Sequence, residues 1–161
     1  MFDQLDGLPL HPLVVHAVVA LAPLATLLAI AHLVPAWRRV LRWPIVAVSV
    51  LGAVSAWVAT QSGEALQRAI SSQLEGNPTG ELVEEHAALG DRLFYALIAL
   101  SVVALVVALL ARADRGALGH LAAVVLAVVA IGVGVLTYQV GDKGARAVWN
   151  PTGSVDYSRT N

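Results

Sequence analysis

Histidine is the residue type in this chain whose distribution could support a specific chemistry. The 161-residue sequence has no cysteine, and its one methionine is the first residue. Disulfides, zinc–thiolate sites and iron–sulfur clusters bound by cysteine are therefore excluded. A metal ion or a haem iron would have to be bound by histidine, carboxylate or backbone oxygen. The five histidines are His11, His16, His32, His86 and His120.

Long apolar segments must position these histidines. Hydrophobic residues make up 58% of the chain and charged residues only 13%, whereas a typical soluble domain is about 25% charged. A small soluble domain could not bury so much apolar surface, which argues against a soluble monomer. The sequence instead predicts four membrane-spanning helices, because each of four apolar segments reaches the roughly 20 residues that such a helix needs. These segments lie at about 12–37, 43–62, 89–111 and 117–140.

The order of the segments predicts one all-α domain over residues 1–161, an integral-membrane four-helix bundle with up-down-up-down topology. In the loop at 63–88, apolar residues recur four positions apart before a turn cluster at 77–80. We therefore expect a helical hairpin there, extending helices two and three outside the cytoplasm. Residues 141–161 are expected to form a tail on the same side.

The distribution of charge predicts the orientation. Together, the short loops at 38–42 and 112–115 hold five basic residues and one acidic residue, and the rest of the chain holds five basic and ten acidic residues. Positive residues favour the cytoplasmic side, so both termini are expected outside the cytoplasm, in a bacterial inner membrane. Trp37 and Trp43 flank the first of these loops, as interfacial aromatic residues do. The net charge of −1 gives no reason to expect a nucleic-acid partner.

This topology divides the histidines into two groups. His11, His16 and His86 are expected near the outer surface, and His32 and His120 near the inner one. Ionisable residues inside membrane helices are uncommon and often functional. For the inner two we favour a structural role, as satisfied polar groups or interfacial anchors. For the outer three, a ligand role competes with capping for His11 and with a solvated helix face for His86.

Depth in the membrane predicts which outer histidines could act together. His16 and His86 are expected at similar depth and form the predicted pair of axial haem ligands or metal ligands. Pro12 suits the first position of a helix, which predicts that His11 caps the helix. In the ligand hypothesis, His11 is instead a third ligand or a neighbour of the ligands. Arg92 lies on the same side, as do Arg68, Lys143 and Arg146. These cations could neutralise haem propionates or another anion, or they could simply be solvated.

Three segments resemble a bacterial four-helix membrane family, the domain of unknown function twenty-two thirty-one. The opening Gly7–His16 is similar to the family's Leu-His-Pro followed by Val-His, and His86–Gly90 is similar to its His-x-x-Leu-Gly at the third helix. Gly141–Trp149 resembles the closing Gly-x-x-Gly-Ala-x-x-Val-aromatic segment, with tryptophan where the family pattern suggests tyrosine. The resemblance spans nearly the whole chain and supports His11, His16 and His86 as site residues.

The resemblance implies membrane electron transfer, because similar domains occur fused to Rieske-type or cytochrome c-type modules. Two hypotheses follow from the sequence. The chain binds haem b or another histidine-bound transition metal near the outer face and passes electrons to a redox partner there. Alternatively, it is a non-catalytic membrane subunit or a small-molecule binding protein whose histidines are structural. Either protein would have the lipid bilayer as its environment and could form a homo-oligomer, and nothing in the sequence points to a stand-alone enzyme.

Overall fold

Most of the described residues are helical. A computed structural model describes residues 4–110 and 116–156, so the predicted basic loop at 112–115 lies outside the described residues. Four of the five helices are long and apolar enough to cross a membrane, namely α1, α2, α4 and α5. The elements are β1 Gln4–Leu5, β2 Leu8–Pro9, α1 Leu10–Ala31, α2 Arg38–Ala69, α3 Ser71–Leu74, α4 Pro78–Leu109 and α5 Ala117–Trp149.

The four long helices pack around one core. Helix α1 packs against α2 and α5, and α4 packs against the same two helices. Alanines fill the core side of α1, where Ala22 and Ala25 are fully buried, and leucines fill that of α4, where Leu97 and Leu100 are fully buried. In lipid there is no hydrophobic driving force between helices, so their association depends on close van der Waals packing. Small residues on one helix and large ones on another allow such packing.

Large apolar side chains cover the outside of the bundle. Leu27, Leu109 and Val128 are each more than 60% exposed, and many similar residues surround them. A soluble protein rarely exposes an apolar surface of this extent. The distribution matches a helical bundle whose outer surface contacts lipid, in agreement with the four predicted spans.

The start of α1 differs from the prediction that His11 caps it. Asp6 and Gly7 have φ values of 52° and 79°, which form the two-residue turn of a small antiparallel β-hairpin. The hairpin ends at Pro9, which occupies the N-cap position, and α1 therefore begins at Leu10. His11 lies in the first turn of the helix and not at its cap. Pro12 is tolerated there because the first four N–H groups of a helix have no partner within it.

The start of α4 follows from the turn cluster predicted at 77–80. The side-chain oxygen of Asn77 accepts hydrogen bonds from the backbone N–H groups of Thr79 and Gly80 at 2.8 and 3.2 Å. Pro78 is the first helical residue, a position that favours proline. Just before them, Gly76 has a φ of 74°, which reverses the chain at little steric cost. We call this end of the bundle, where α2 passes into α4, the hairpin end.

Three helices run beyond their apolar spans. Helix α2 continues to Ala69 and α4 begins at Pro78, so both enter the segment 63–88 where helices two and three were expected to extend. Helix α5 continues to Trp149, so the first part of the predicted tail at 141–161 is helical. At the opposite end of the bundle, the buried Arg38 closes the turn after α1. Its guanidinium donates to the carbonyl oxygens of His32 and Leu33 at 3.2 and 3.3 Å, a favourable position for a cation at a helix C-terminus.

Candidate functional site

The first component of the site is the imidazole of His11. It lies on the core face of α1, because Val18 and Ala25 follow it at seven-residue intervals and are both buried. Seven residues are close to two helical turns. From this position the ring reaches α2, where its Nδ1–H donates a hydrogen bond to the carbonyl oxygen of Ala59 at 2.8 Å. His11 thus joins the beginning of α1 to the later part of α2.

The second component is the imidazole of His86, which makes the same kind of contact between the other two helices. It precedes the buried Leu93 and Leu100 at seven-residue intervals, on the core face of α4. Its Nδ1–H donates to the carbonyl oxygen of Val140 on α5 at 2.9 Å. Each helix pair, α1 with α2 and α4 with α5, is therefore joined by one histidine near the hairpin end.

The two rings meet each other across the bundle. Their centroids are 6.0 Å apart and their planes are perpendicular. A carbonyl oxygen can only accept a hydrogen bond, so each Nδ1 must carry a proton. In the neutral ring, Nε2 then keeps its lone pair, and among the described residues neither Nε2 accepts a hydrogen bond. The arrangement provides two imidazole ligands with the tautomer that binds a metal through Nε2.

A glycine accommodates each ring. A Cβ atom at Gly63 would lie 3.0 Å from Nδ1 of His11, and a Cβ atom at Gly144 would lie 3.0 Å from Nδ1 of His86. Contacts this short would displace the rings. Gly90 adds a third small residue on the same level of α4, with only the methyl group of Thr60 within 4 Å of a Cβ built there. The surroundings of the rings are therefore shaped by small residues.

His16 does not join this contact. It is exposed, and its Nδ1–H donates to the carbonyl oxygen of Pro12 in its own helix at 2.7 Å. It lies about 140° around α1 from His11, so the two cannot share the core face. The structure thus places His11, and not His16, beside His86. His120 resembles His16, since it is exposed and donates to the carbonyl oxygen of Gly116 at 2.8 Å.

The seven-residue spacing of buried residues was the sequence signal for this pair. His11, Val18 and Ala25 form one such series, and His86 begins another with Leu93. The same series on α1 continues to His32, which is buried at the other end of the helix. Matching the depth of His16 and His86 did not identify the pair, because depth does not determine which side of a helix faces the core.

The charged residues near the rings are mostly paired. Lys143, next to Gly144, forms an ion pair with Glu85, next to His86. Arg146 pairs with Asp142 in the same helix at 2.9 Å. Arg92 is exposed, and it lies about 9 Å along α4 from His86, so it is not on the level of the rings. Of the cations named from the sequence, Lys143 and Arg146 lie closer to the site along the chain than Arg92 does.

The candidate metal ligands at this site are the two imidazoles of His11 and His86. Within residues 4–110 and 116–156, no group of three or more histidine, aspartate and glutamate side chains could hold a metal ion together. Structural zinc requires four ligands and catalytic zinc three from the protein. Two imidazoles are, however, the complete protein ligand set of a bis-histidine haem, whose other four ligands come from the porphyrin.

Comparison with known proteins identifies a family. A family model described as "predicted membrane protein (DUF2231)" matches residues 7–156. The matched region contains all four long helices and both histidines of the pair. No curated protein and no solved structure matches the chain.

Proposed function

The chain belongs to the DUF2231 family of predicted membrane proteins, and we propose that it is a haem b protein of the bacterial inner membrane. His11 and His86 bind the iron through Nε2, and the protein transfers electrons to a redox partner at its outer face. The observation that carries this proposal is the pair of imidazoles, each oriented by a backbone carbonyl of the neighbouring helix, with ring centroids 6.0 Å apart.

His11 and His86 would hold the iron. A metal–imidazole bond is about 2.0–2.1 Å long, and the centroids of the two rings are 6.0 Å apart, so the rings are close enough to share one metal. The hydrogen bonds from Nδ1 to Ala59 and Val140 are of the kind that ligating histidines form with carbonyl groups around metal sites. Four-helix bundles commonly hold cofactors between side chains of facing helices.

Bound haem would supply one-electron chemistry. Residues around the two rings would determine the space, the polarity and the charge around it. Gly63, Gly90 and Gly144 limit steric hindrance on the level of the rings, and the apolar core below them excludes water. Lys143 and Arg146 lie within two residues of Gly144 and can exchange their carboxylate partners for haem propionates. We favour Lys143 and Arg146 over Arg92 for this role, because they are closer to the rings along the chain.

We also propose that the long helices alternate in direction across the bilayer, with the hairpin end outside the cytoplasm. Contacts between early residues of one helix and late residues of the next support alternation: His11 bonds to Ala59, and His86 to Val140. The orientation rests on the excess of arginine near the other end. Both chain termini then lie on the outer side, on the same side as the histidine pair.

The orientation can be tested with single cysteines, because the chain has none of its own. Ser72 is exposed at the hairpin end, and Ala36 is exposed in the turn between α1 and α2. We expect a membrane-impermeant maleimide to label Ser72→Cys in spheroplasts and Ala36→Cys only after the membrane is permeabilised. Labelling of Ala36→Cys in sealed spheroplasts with protection of Ser72→Cys would reverse the proposed orientation.

Absorption spectroscopy tests haem binding directly. Protein purified from haem-supplemented cells should show a Soret band that shifts on reduction with dithionite, together with sharp α and β bands of a six-coordinate, low-spin haem. Titration of the apoprotein with hemin should saturate at one equivalent. A colourless preparation that fails to bind added hemin would refute the proposal, and metal analysis of the same sample would reveal another bound transition metal.

A structural role for the histidines is the second candidate function. It is favoured by the fact that both rings already form hydrogen bonds between helices and pack against glycines. The chain would then be a non-catalytic membrane subunit, and the histidine pair would fasten the hairpin end of the bundle. The two functions differ in one observable property, since only the first gives a haem spectrum that depends on both histidines.

A further inference from the structure

Three hydrogen bonds between long helices share one local pattern. In each, a side chain on one helix donates to a backbone carbonyl on a neighbouring helix. A glycine lies four residues after the residue that carries this carbonyl. The pattern occurs on three of the four helix interfaces. The donor, acceptor and glycine are His11, Ala59 and Gly63; His86, Val140 and Gly144; and Thr26, Ala130 and Gly134.

Helix geometry explains the position of the glycine. The carbonyl of residue i accepts the N–H of residue i+4, and one lone pair remains. Every Cα–Cβ bond tilts toward the helix N-terminus, so the side chain of residue i+4 lies over the turn that contains this carbonyl. Glycine leaves the second lone pair accessible to a neighbouring helix. The distances agree, because a Cβ at Gly63 or Gly144 would lie 3.0 Å from the donating nitrogen.

Two of the three bonds involve the proposed haem ligands. At these two, the glycine determines whether Nδ1–H can reach its carbonyl, and this bond in turn determines the tautomer and the direction of Nε2. A hydrogen bond from Nδ1–H also raises the basicity of the imidazole as a ligand. Thr26 has no ligand role, and its one hydroxyl proton is shared between the carbonyl oxygen of Ala130 at 2.9 Å and that of Ala22 in its own helix at 3.0 Å. Its glycine, Gly134, therefore serves as an internal reference for a purely structural function.

On the basis of the proposed haem binding by His11 and His86, we propose that Gly63 and Gly144 are positioning residues for these two ligands. By exposing the carbonyls of Ala59 and Val140, they hold His11 and His86 in the Nδ1–H tautomer and strengthen both as electron donors to the iron. Stronger donation favours the ferric state, so the two glycines increase haem affinity and keep the reduction potential low. Gly134 contributes only to helix packing.

The test compares alanine substitutions at five glycines of the full-length protein in detergent or nanodiscs. Gly63→Ala and Gly144→Ala should weaken hemin binding by about 10- to 100-fold, the usual effect of losing a partner of a metal-ligating histidine. The reduction potential of the haem that still binds should rise. Gly134→Ala should lower thermal stability but leave affinity and potential unchanged. Gly132→Ala and Gly141→Ala are matched controls, because no atom lies within 4 Å of a Cβ built there.

The outcomes separate this inference from the proposed function. If the unmodified protein binds no hemin, both are refuted. If it binds hemin but Gly63→Ala and Gly144→Ala have the affinity and potential of the controls, the glycines are not positioning residues and haem binding stands. The inference also fails if Gly134→Ala raises the potential as much as the other two. Because the glycines lie in separate helices, either variant decides the question if the other fails to fold.

Discussion

Replacing either His11 or His86 with alanine should abolish the haem spectrum, whereas replacing His16 should leave it intact. If His11 and His86 bind the iron as proposed, each substitution removes one of the two ligands that the protein would supply, and the other imidazole alone would hold the haem less tightly. We expect the affinity for hemin to fall by at least about 100-fold, since loss of an outer-shell partner alone typically costs 10- to 100-fold. The measurement is a hemin titration of the purified apoproteins, followed by reduced and oxidised spectra.

His16→Ala is a matched control for this experiment, because His16 belongs to the same helix as His11 and forms its hydrogen bond within that helix. His120→Ala provides a second control on α5. The choice of His11 over His16 fails if His16→Ala loses haem and His11→Ala keeps it. If His11→Ala and His86→Ala reduce thermal stability while the unmodified protein shows no haem spectrum, the structural role of the pair is favoured.

Leu97→Ala should destabilise the protein by about 2–5 kcal/mol, the range for removal of a buried leucine side chain. Leu97 is fully buried, and its Cδ2 would lie 3.4 Å from a Cβ built at Gly52, so it fills the space where α2 and α4 approach closely. Removing its side chain leaves a cavity at this contact. The free energy of unfolding can be measured by titrating the folded protein from mild detergent into SDS.

Leu105→Ala is the appropriate comparison, because Leu105 lies on the same helix but is 42% exposed on the lipid-facing side. A lipid-facing leucine contacts a similar apolar environment before and after helices separate, so its removal should change the stability by less than about 1 kcal/mol. Equal losses for the two variants would show that α4 does not present Leu97 to the core. This result would also contradict the placement of His86, which lies on the same face.

The fold was largely predictable because its determinants are local. Apolar segments of sufficient length predicted the four long helices, and the turn at 77–80 predicted where α4 begins, because Asn77 caps it through its own side chain. The beginning of α1 was less predictable. It depends on the hairpin formed with Asp6 and Gly7, whose two strands are only two residues long and carry little pattern.

The site was only partly predictable, for a different reason. His86 and the general location of the site followed from topology, but the choice between His11 and His16 depends on how α1 is rotated about its axis. This rotation is determined by which residues pack inside the bundle, such as Ala22 and Ala25. The two acceptor carbonyls could not be predicted from residue types, because every residue has one, and only the glycine four positions later marks those that are accessible.

The distribution of the histidine bonds has a consequence for how the protein is made. His11 bonds only to α2 and His86 only to α5, so each pair of helices along the chain orients its own imidazole. The first pair is synthesised before the second, so His11 can be oriented by α2 before α4 and α5 exist. The contact between the two rings forms only when the two pairs assemble, and a haem bound as proposed would enter at that last step.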